Sequence, residues 1–483
     1  MSVVESNLID GDWVGSDRHR DDLDPSDLRT VVARVALATP ADATRAMDVA
    51  ARAASSWRAV SLQDRERILR TTAALLRERR AGIAAGISRD VGKLAAEALG
   101  EVDKSADFFD YYAGVVRLSR GDVLPDSRPG TTTLSVREPL GAVLVITPWN
   151  DPLLTPARKI APALAAGNTV VFKPAGDSPL PAADLVRALV DAGIPPGVVA
   201  LVNGETTQIS PVLLAHPGLA ALSFTGSTPV GNQLRIALAH RPTRVLTEMG
   251  GKNASVVLAD ADLDLAAATI VEAGYRQAGQ RCTATSRVVV LRKVVDAFLD
   301  RFTARVNTLL VGRASDQRST MGPVINARHA RDVINHIDLA REAGAVVAVG
   351  GGRPEGPDLE HGSFVRPTVI TEVTPDMALW REEVFGPVVA VQAVDTFDEA
   401  VDAVNDSPFG LAAGIFTKSL ARAHEFIDRV EVGHVSVNLP TSGWDVHMPF
   451  GGTKDSGSEF REQGLDVLQF YTRGKTASIG YGY

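Results

Sequence analysis

A chain of 483 residues is longer than one hydrophobic core fills, so two to four domains are expected. An apolar fraction of 45%, a charged fraction of 22% and a formal net charge of −8 fit a soluble globular protein and argue against nucleic-acid binding, which needs a basic excess. A single cysteine excludes any intrachain disulfide. "MSVVESNLID" has neither the basic nor the apolar region of a secretory signal, and no apolar run reaches the ~18 residues of a membrane span, so a cytoplasmic protein is expected.

Residues 40–117 read as helices, with Ile68, Leu69, Leu75 and Leu76 forming an apolar stripe among Arg and Glu. The segment 121–141 changes character. Pro and Gly punctuate it, and "TTTLSV" favours a strand. From 142 onward strand and helix patterns alternate: "AVLVITP", then "KIAPALAAG" closed by Gly167, then "TVVFKPA", "PAADLVRALVDAG", "GVVALVNG", "LAALSFTG" and "VGNQLRIALAH". Uninterrupted Val, Ile and Leu in the strands predicts a doubly wound parallel sheet covered on both faces. A second series begins near Asn253 with "ASVVLA", "LDLAAATIVEAGYRQAG" and "SRVVVLR", followed by helices over 294–310 and 327–343. The chain ends in "QFYTRGKTASIGYGY", a β-rich arm suited to pairing with another subunit.

The only cysteine, Cys282, stands in "RQAGQRCTATSR". A lone cysteine is more often a small buried apolar residue than a nucleophile. Here small neighbours leave an open site, and Arg276 and Arg281 would favour the thiolate. "GQRCTATSR" resembles the nucleophile segment of the aldehyde dehydrogenase superfamily. So do "TPWNDPL" (147–153), "FTGSTPVG" (224–231), "LTEMGGKN" (246–253), "EEVFGPV" (382–388) and "PFGGTKDSG" (449–457) resemble its other motifs, in the same order and through most of the chain.

The resemblance implies an α/β fold, with two doubly wound parallel-sheet domains and a β oligomerisation arm. The implied division is 1–120 with 140–251 for NAD(P) binding, 252–453 for catalysis, and 121–139 with 464–483 for the arm of a homodimer or homotetramer. It also implies a chemistry. Cys282 attacks an aldehyde, and the side chain of Asn150 and the Cys282 backbone N–H stabilise the oxyanion. After hydride transfer a thioester remains, which water activated by Glu248 hydrolyses. Lys159 and Glu462 match a proton-relay path. Thr147, Trp149, Lys173, Gly226, Ser227, Gly231, Glu383 and Phe385 match positions around the cofactor, with the backbone of "FTGSTPVG" facing its pyrophosphate. No metal is implied.

One departure bears on the cofactor. Many NAD-preferring relatives carry a ribose-binding glutamate where this chain has Gly176. Its loss makes room for a 2′-phosphate beside Lys173, although Asp177 follows at once; the balance leans to NADP acceptance. Arg158 and Arg276 match positions that hold the carboxylate of semialdehyde acids, and they read equally as salt-bridge residues. His447 is a third candidate near the substrate, or a structural histidine. The stretches "NLPTSGWDVHMPFGG" and "FREQG" resemble the α-ketoglutaric semialdehyde branch more than the succinic one. Specificity for a neutral or other polar aldehyde, a coenzyme A acyl-transferring relative, and a catalytically silent relative are the alternatives. The presence of Cys282, Glu248 and Asn150 argues against the last two.

Overall fold

The strands of both α/β sheets are runs of Val, Ala, Leu and Ile without polar alternation, and they are buried on both faces. The computed structural model describes residues 3–118 and 121–481. Residues 119–120 of the expected cofactor-binding region, residues 1–2, and the last two of the expected arm lie outside the described residues.

The first sheet has seven strands. Arg244–Glu248, Leu219–Thr225, Ala142–Ile146, Thr169–Lys173 and Val199–Leu201 lie side by side and parallel. The antiparallel hairpin Asn7–Ile9 and Asp12–Val14 completes it. The strand order reverses between Ala142–Ile146 and Leu219–Thr225. A crevice opens at the carboxyl ends of strands flanking such a reversal, and ligands bind there.

The second sheet also has seven strands, ordered Val346–Val349, Thr368–Thr371, Val388–Val394, Arg287–Leu291, Ala254–Val257, Ala412–Phe416 and His434–Val437. All its pairs are parallel except the first, which is antiparallel. A third, antiparallel sheet joins Gly121–Leu124, Thr131–Pro139 and the C-terminal strand Thr472–Gly480. "QFY", expected in the arm's strand, instead closes a short helix, Val467–Tyr471, whose ends are buried. The N-terminal strands, including the three-stranded sheet that pairs His19–Leu23 and Val3–Glu5 with Val31–Ala36, had no reading from sequence.

Each large sheet has its own apolar core. The helices Pro40–Ala59, Leu62–Glu78, Arg80–Val91 and Ala95–Val115 fill the expected helical span. The helix Leu154–Ala166 is buried along almost its whole length and stops at Gly167, whose φ of 98° favours glycine. Glu101 anchors the start of that helix by accepting the N–H groups of Leu153 (2.8 Å) and Leu154 (3.1 Å). Arg158 and Lys159, one and two residues into its second turn, are thereby fixed in the interior.

Candidate active site

Cys282 lies in a turn held from both sides. Before it, Gln277, Ala278 and Gly279 all take left-handed backbone, with φ of 56°, 54° and 71°. Such conformations cost non-glycine residues on the order of 1 kcal/mol or more. At Gly279 no side chain fits, because a Cβ there would overlap the carbonyl of Gly386. Gln280 pins the turn: its Oε1 accepts the Ile325 N–H (2.8 Å) and its Nε2 donates to the Gln277 carbonyl (3.1 Å). After it, Asn253 Nδ2 donates to the carbonyls of Cys282 (2.7 Å) and Ala284 (2.8 Å), and Thr441 Oγ1 donates to that of Thr283 (2.7 Å). The thiol therefore sits on preorganised backbone, as positioned chemistry requires.

Two cavities meet at Cys282. The larger, about 500 Å³, reaches Trp149, Gly226, Ser227, Glu383 and Phe385. The smaller, about 220 Å³, is lined by Arg158, Arg276, Arg281, Trp444 and Phe450 among others. Cys282, Asp151 and Arg158 border both. Asn150 crosses from the first sheet to the cysteine turn, its Nδ2 donating to the Gln280 carbonyl (3.1 Å). A primary amide has two N–H donors, so one is left for a ligand.

Burial pushes the Cys282 thiol up to about 12, with the Arg158 guanidinium pulling the other way. The resting group is a thiol, and reaction needs a base. Glu248 ends the strand Arg244–Glu248, is 2% exposed, and has both carboxylate oxygens without a hydrogen bond. Burial raises it well above the usual carboxylate range, and Glu462 adds to the rise. Nearby, Lys159 Nζ meets Glu462 Oε1 at 2.5 Å and donates to Ser223 Oγ at 3.1 Å; Arg158 Nε lies 3.3 Å from Glu462 Oε2. Burial pulls the Lys159 ammonium down, opposed by Glu462. A buried carboxylate without a hydrogen bond and raised well above its usual range marks Glu248 as a candidate for proton transfer.

The larger cavity begins at the carboxyl ends of the first sheet. The Thr147 N–H bonds the Lys173 carbonyl (3.4 Å), tying two adjacent strand ends. Burial, with the charge of Arg20, pulls Lys173 down to about 8. Trp149, His329 and Phe385 form an edge-to-face aromatic group, with Trp149–Phe385 centroids 5.5 Å apart. Glu383 Oε1 accepts the Gly251 N–H (2.9 Å), and burial pushes its carboxyl to about 7.

Gly226 and Gly231 need correction. Neither N–H faces the cavity free: Gly226 donates to the Glu248 carbonyl (3.1 Å) and Gly231, inside the helix Thr228–Leu238, to that of Ser227 (3.0 Å). They are glycine because a Cβ would strike the Phe224 ring at 226, and Met249 and Phe224 at 231. Ser227 is the N-cap of that helix and its side chain makes no capping bond, so its hydroxyl and the N–H groups of Thr228 and Val230 remain for an anion, Pro229 having none.

Two expected substrate contacts also change. His447 is 57% exposed, pairs with Asp445 (3.5 Å), and is not part of the smaller cavity's wall. A different histidine, buried His434, stacks on Trp444 (4.5 Å), which is. Arg276 lines the cavity but is 45% exposed and already faces Glu272 (3.5 Å) and Glu97 (3.9 Å). Sequence reading missed Asn253, although the polar residue ending "GGKN" just before an all-apolar strand is a usable signal. It also missed Thr441, Glu101 and His329, whose roles depend on long-range contacts.

The remaining surprise is at Gly176. The guanidinium of Arg20, from the N-terminal strand His19–Leu23, donates to the Gly176 carbonyl, and a Cβ at 176 would overlap it. A side chain at 176 would displace the Arg20 guanidinium, the far end of a flexible side chain.

Comparison with known proteins agrees with this geometry. The family model described as "Aldehyde dehydrogenase family" matches residues 13–477. Alpha-ketoglutarate semialdehyde dehydrogenase of Haloferax volcanii is 40% identical over 100% of both chains. 2,5-Dioxopentanoate dehydrogenase of Saccharolobus solfataricus is 38% identical over 97% of this chain and 98% of that one. The crystal structure of betaine aldehyde dehydrogenase from Staphylococcus aureus in complex with NAD+ superposes with a TM-score of 0.96 at 35% identity, covering 99% of this chain and 94% of the other. On the full-length match and the shared fold, this chain belongs to the aldehyde dehydrogenase family.

Proposed function

We propose that this aldehyde dehydrogenase oxidises a five-carbon 2-oxo-acid ω-semialdehyde to the dicarboxylic acid. The carrying observation is the place of Cys282: it joins a long cavity suited to a dinucleotide and a short cavity rich in guanidinium groups. Two relatives are named for the same kind of carboxylate-bearing substrate.

The residues act as follows. Glu248 takes the Cys282 thiol proton, the sulfur attacks the aldehyde carbon, and the carbonyl π pair moves to oxygen to give an oxyanion. The free N–H of Asn150 and the backbone N–H of Cys282, which has no partner among the described residues, receive it. Bound NAD(P) supplies the hydride acceptor. Thr147, Trp149 and Phe385 would line the nicotinamide side, Glu383 would hold a ribose, and Ser227 with the helix start would take the pyrophosphate. The thioester left on Cys282 is hydrolysed by water that Glu248 deprotonates, and Lys159 with Glu462 carries the proton away. Arg158, clamped on Glu462 and lying 4.6 Å over the Phe450 ring, shapes the wall shared by both cavities.

Within the NAD(P) class, NADP acceptance is supported by Arg20 and Lys173. Neither makes an ion pair among the described residues; Arg20 crowds the place of the absent ribose glutamate, and its charge acts on Lys173. The domain division stated above follows the three sheets. Dimers or tetramers would form through the exposed strand Thr472–Gly480. The single cysteine suits a reducing, cytoplasmic setting.

The test is an initial-rate panel with NAD and with NADP. Expected is a kcat/KM for 2,5-dioxopentanoate at least roughly 100-fold above that for pentanal, since a charge-assisted carboxylate contact contributes about 1.5–3 kcal/mol. Equal values for both aldehydes overturn the substrate reading.

A further inference from the structure

The smaller cavity carries four cations, and their partners differ. Lys104 Nζ donates to the Trp444 carbonyl (2.7 Å) and lies 3.8 Å from Asp445. Arg158 is bound to Glu462, and Arg276 to Glu272 and Glu97. Arg281 also lines the cavity, but its guanidinium makes no hydrogen bond or ion pair among the described residues; only its backbone is bonded, to the Gly279 carbonyl (2.9 Å).

The carboxylates of the same wall are all engaged. Lys93 Nζ holds Glu101 (2.5 Å) and Asp151 (2.6 Å). Glu97 accepts the N–H groups of Leu94 (3.1 Å) and Gln277 (2.9 Å). Among the described residues no carboxylate makes an ion pair with the Arg281 guanidinium, although its charge acts on Asp151, and a partly buried guanidinium without an ion-paired counter-ion is poised for an anionic ligand.

Its position fits a substrate rather than a stray ion. Arg281 directly precedes Cys282, so an aldehyde attached to the sulfur and a carboxylate at its far end lie within the span of one arginine side chain. Trp444, Phe450 and Leu154 offer apolar wall for the methylenes between them. Arg281 also acts electrostatically on Cys282, opposing the burial that raises its thiol.

We propose that Arg281, and not Arg276, is the specificity-determining residue that holds the terminal carboxylate of the substrate. This rests on the semialdehyde-acid reading above. A planar guanidinium can donate two N–H groups to that carboxylate, whereas Arg276 would first have to leave two glutamates.

The experiment compares wild type with Arg281→Met, Arg281→Lys and Arg276→Met. Each is assayed with 2,5-dioxopentanoate and with pentanal, and each is titrated with glutarate as a competitive inhibitor. In Arg281→Met the preference for the acid over pentanal should fall roughly 100-fold, through KM, with glutarate inhibition weakening alongside. Arg281→Lys, which keeps the charge without the planar fork, should lie between. Arg276→Met should keep the preference within about threefold. A preference surviving in Arg281→Met, an equal loss on both aldehydes, or a larger acid-specific loss in Arg276→Met would each overturn the assignment. Wild type that shows no preference at all refutes the substrate reading itself, a separate outcome from a preference that ignores Arg281.

Discussion

Two buried charged clusters border the cysteine turn, and they are built differently. In one, Lys93 is shared by Glu101 and Asp151, and Glu101 also receives two backbone N–H groups. Against its burial, Lys93 and Arg281 hold Asp151 down at about 2. In the other, Lys159 and Arg158 share Glu462, while Glu248 keeps both oxygens unbonded and its carboxyl rises with burial. The first cluster is satisfied and ties the helix Leu154–Ala166 to the loop before it. The second holds one carboxylate in a poor environment for charge. Satisfied buried charges give position, and an unsatisfied carboxylate gives a base raised above the ordinary carboxylate range.

Removing the nucleophile tests the frame that both clusters serve. Cys282→Ala should abolish aldehyde-dependent NAD(P)H formation followed at 340 nm, and retained turnover would sink the thiol assignment. Glu248→Gln comes next. Steady-state kcat should fall about 10²–10⁴-fold, while a burst of NAD(P)H, stoichiometric with enzyme, persists. The pH profile carries the sign: a base must be ionised to act, and burial raises this one, so wild-type kcat should decline on acidification at a pH above the ordinary carboxylate range. Glu248→Gln should lose that limb. A lost burst with an unchanged limb would move the base elsewhere.

Lys93→Met breaks the satisfied cluster instead. It leaves two buried carboxylates without their cation, so stability in urea titration should drop by about 3–5 kcal/mol. Turnover per folded molecule should fall far less than in Glu248→Gln. A Lys93→Met enzyme that is stable but inactive would erase the distinction between the clusters.

How far sequence reached follows the same division. The alternating strands and helices were legible because residues such as Val143–Val145 and Val288–Val290 are apolar without interruption. Cys282, Asn150, Glu248 and Glu383 were reached through motifs; Cys282, Asn150 and Glu383 line one cavity, and Glu248 lies buried beside the charges of Arg158 and Lys159. What escaped was set by partners far along the chain. Only Glu272, four residues before Arg276, hints locally that Arg276 is engaged, and Glu97 is far along the chain; Arg281 makes no ion pair among the described residues. His447 and His434 look alike until one is exposed and the other packs on Trp444. The glycines of "FTGSTPVG" suggested phosphate contact, but the packed Phe224 and Met249 explain them.

Arg20 is the extreme case, 156 residues from the Gly176 carbonyl it bonds. From sequence, Gly176 is only a missing carboxylate; in the fold its carbonyl is bonded by Arg20, whose charge acts on Lys173, and we propose the pair as a cationic site. A site of this kind should distinguish cofactors by their 2′ substituent. In fluorescence titrations without aldehyde, Arg20→Gln should weaken NADP+ binding about tenfold and NAD+ binding much less, since only the former presents a phosphate to the guanidinium. The added ionic strength that screens a partly exposed cation should shrink the same difference in wild type. Equal weakening of both cofactors would mean that Arg20 merely braces the Gly176 backbone, and the cationic site would then reduce to Lys173 alone.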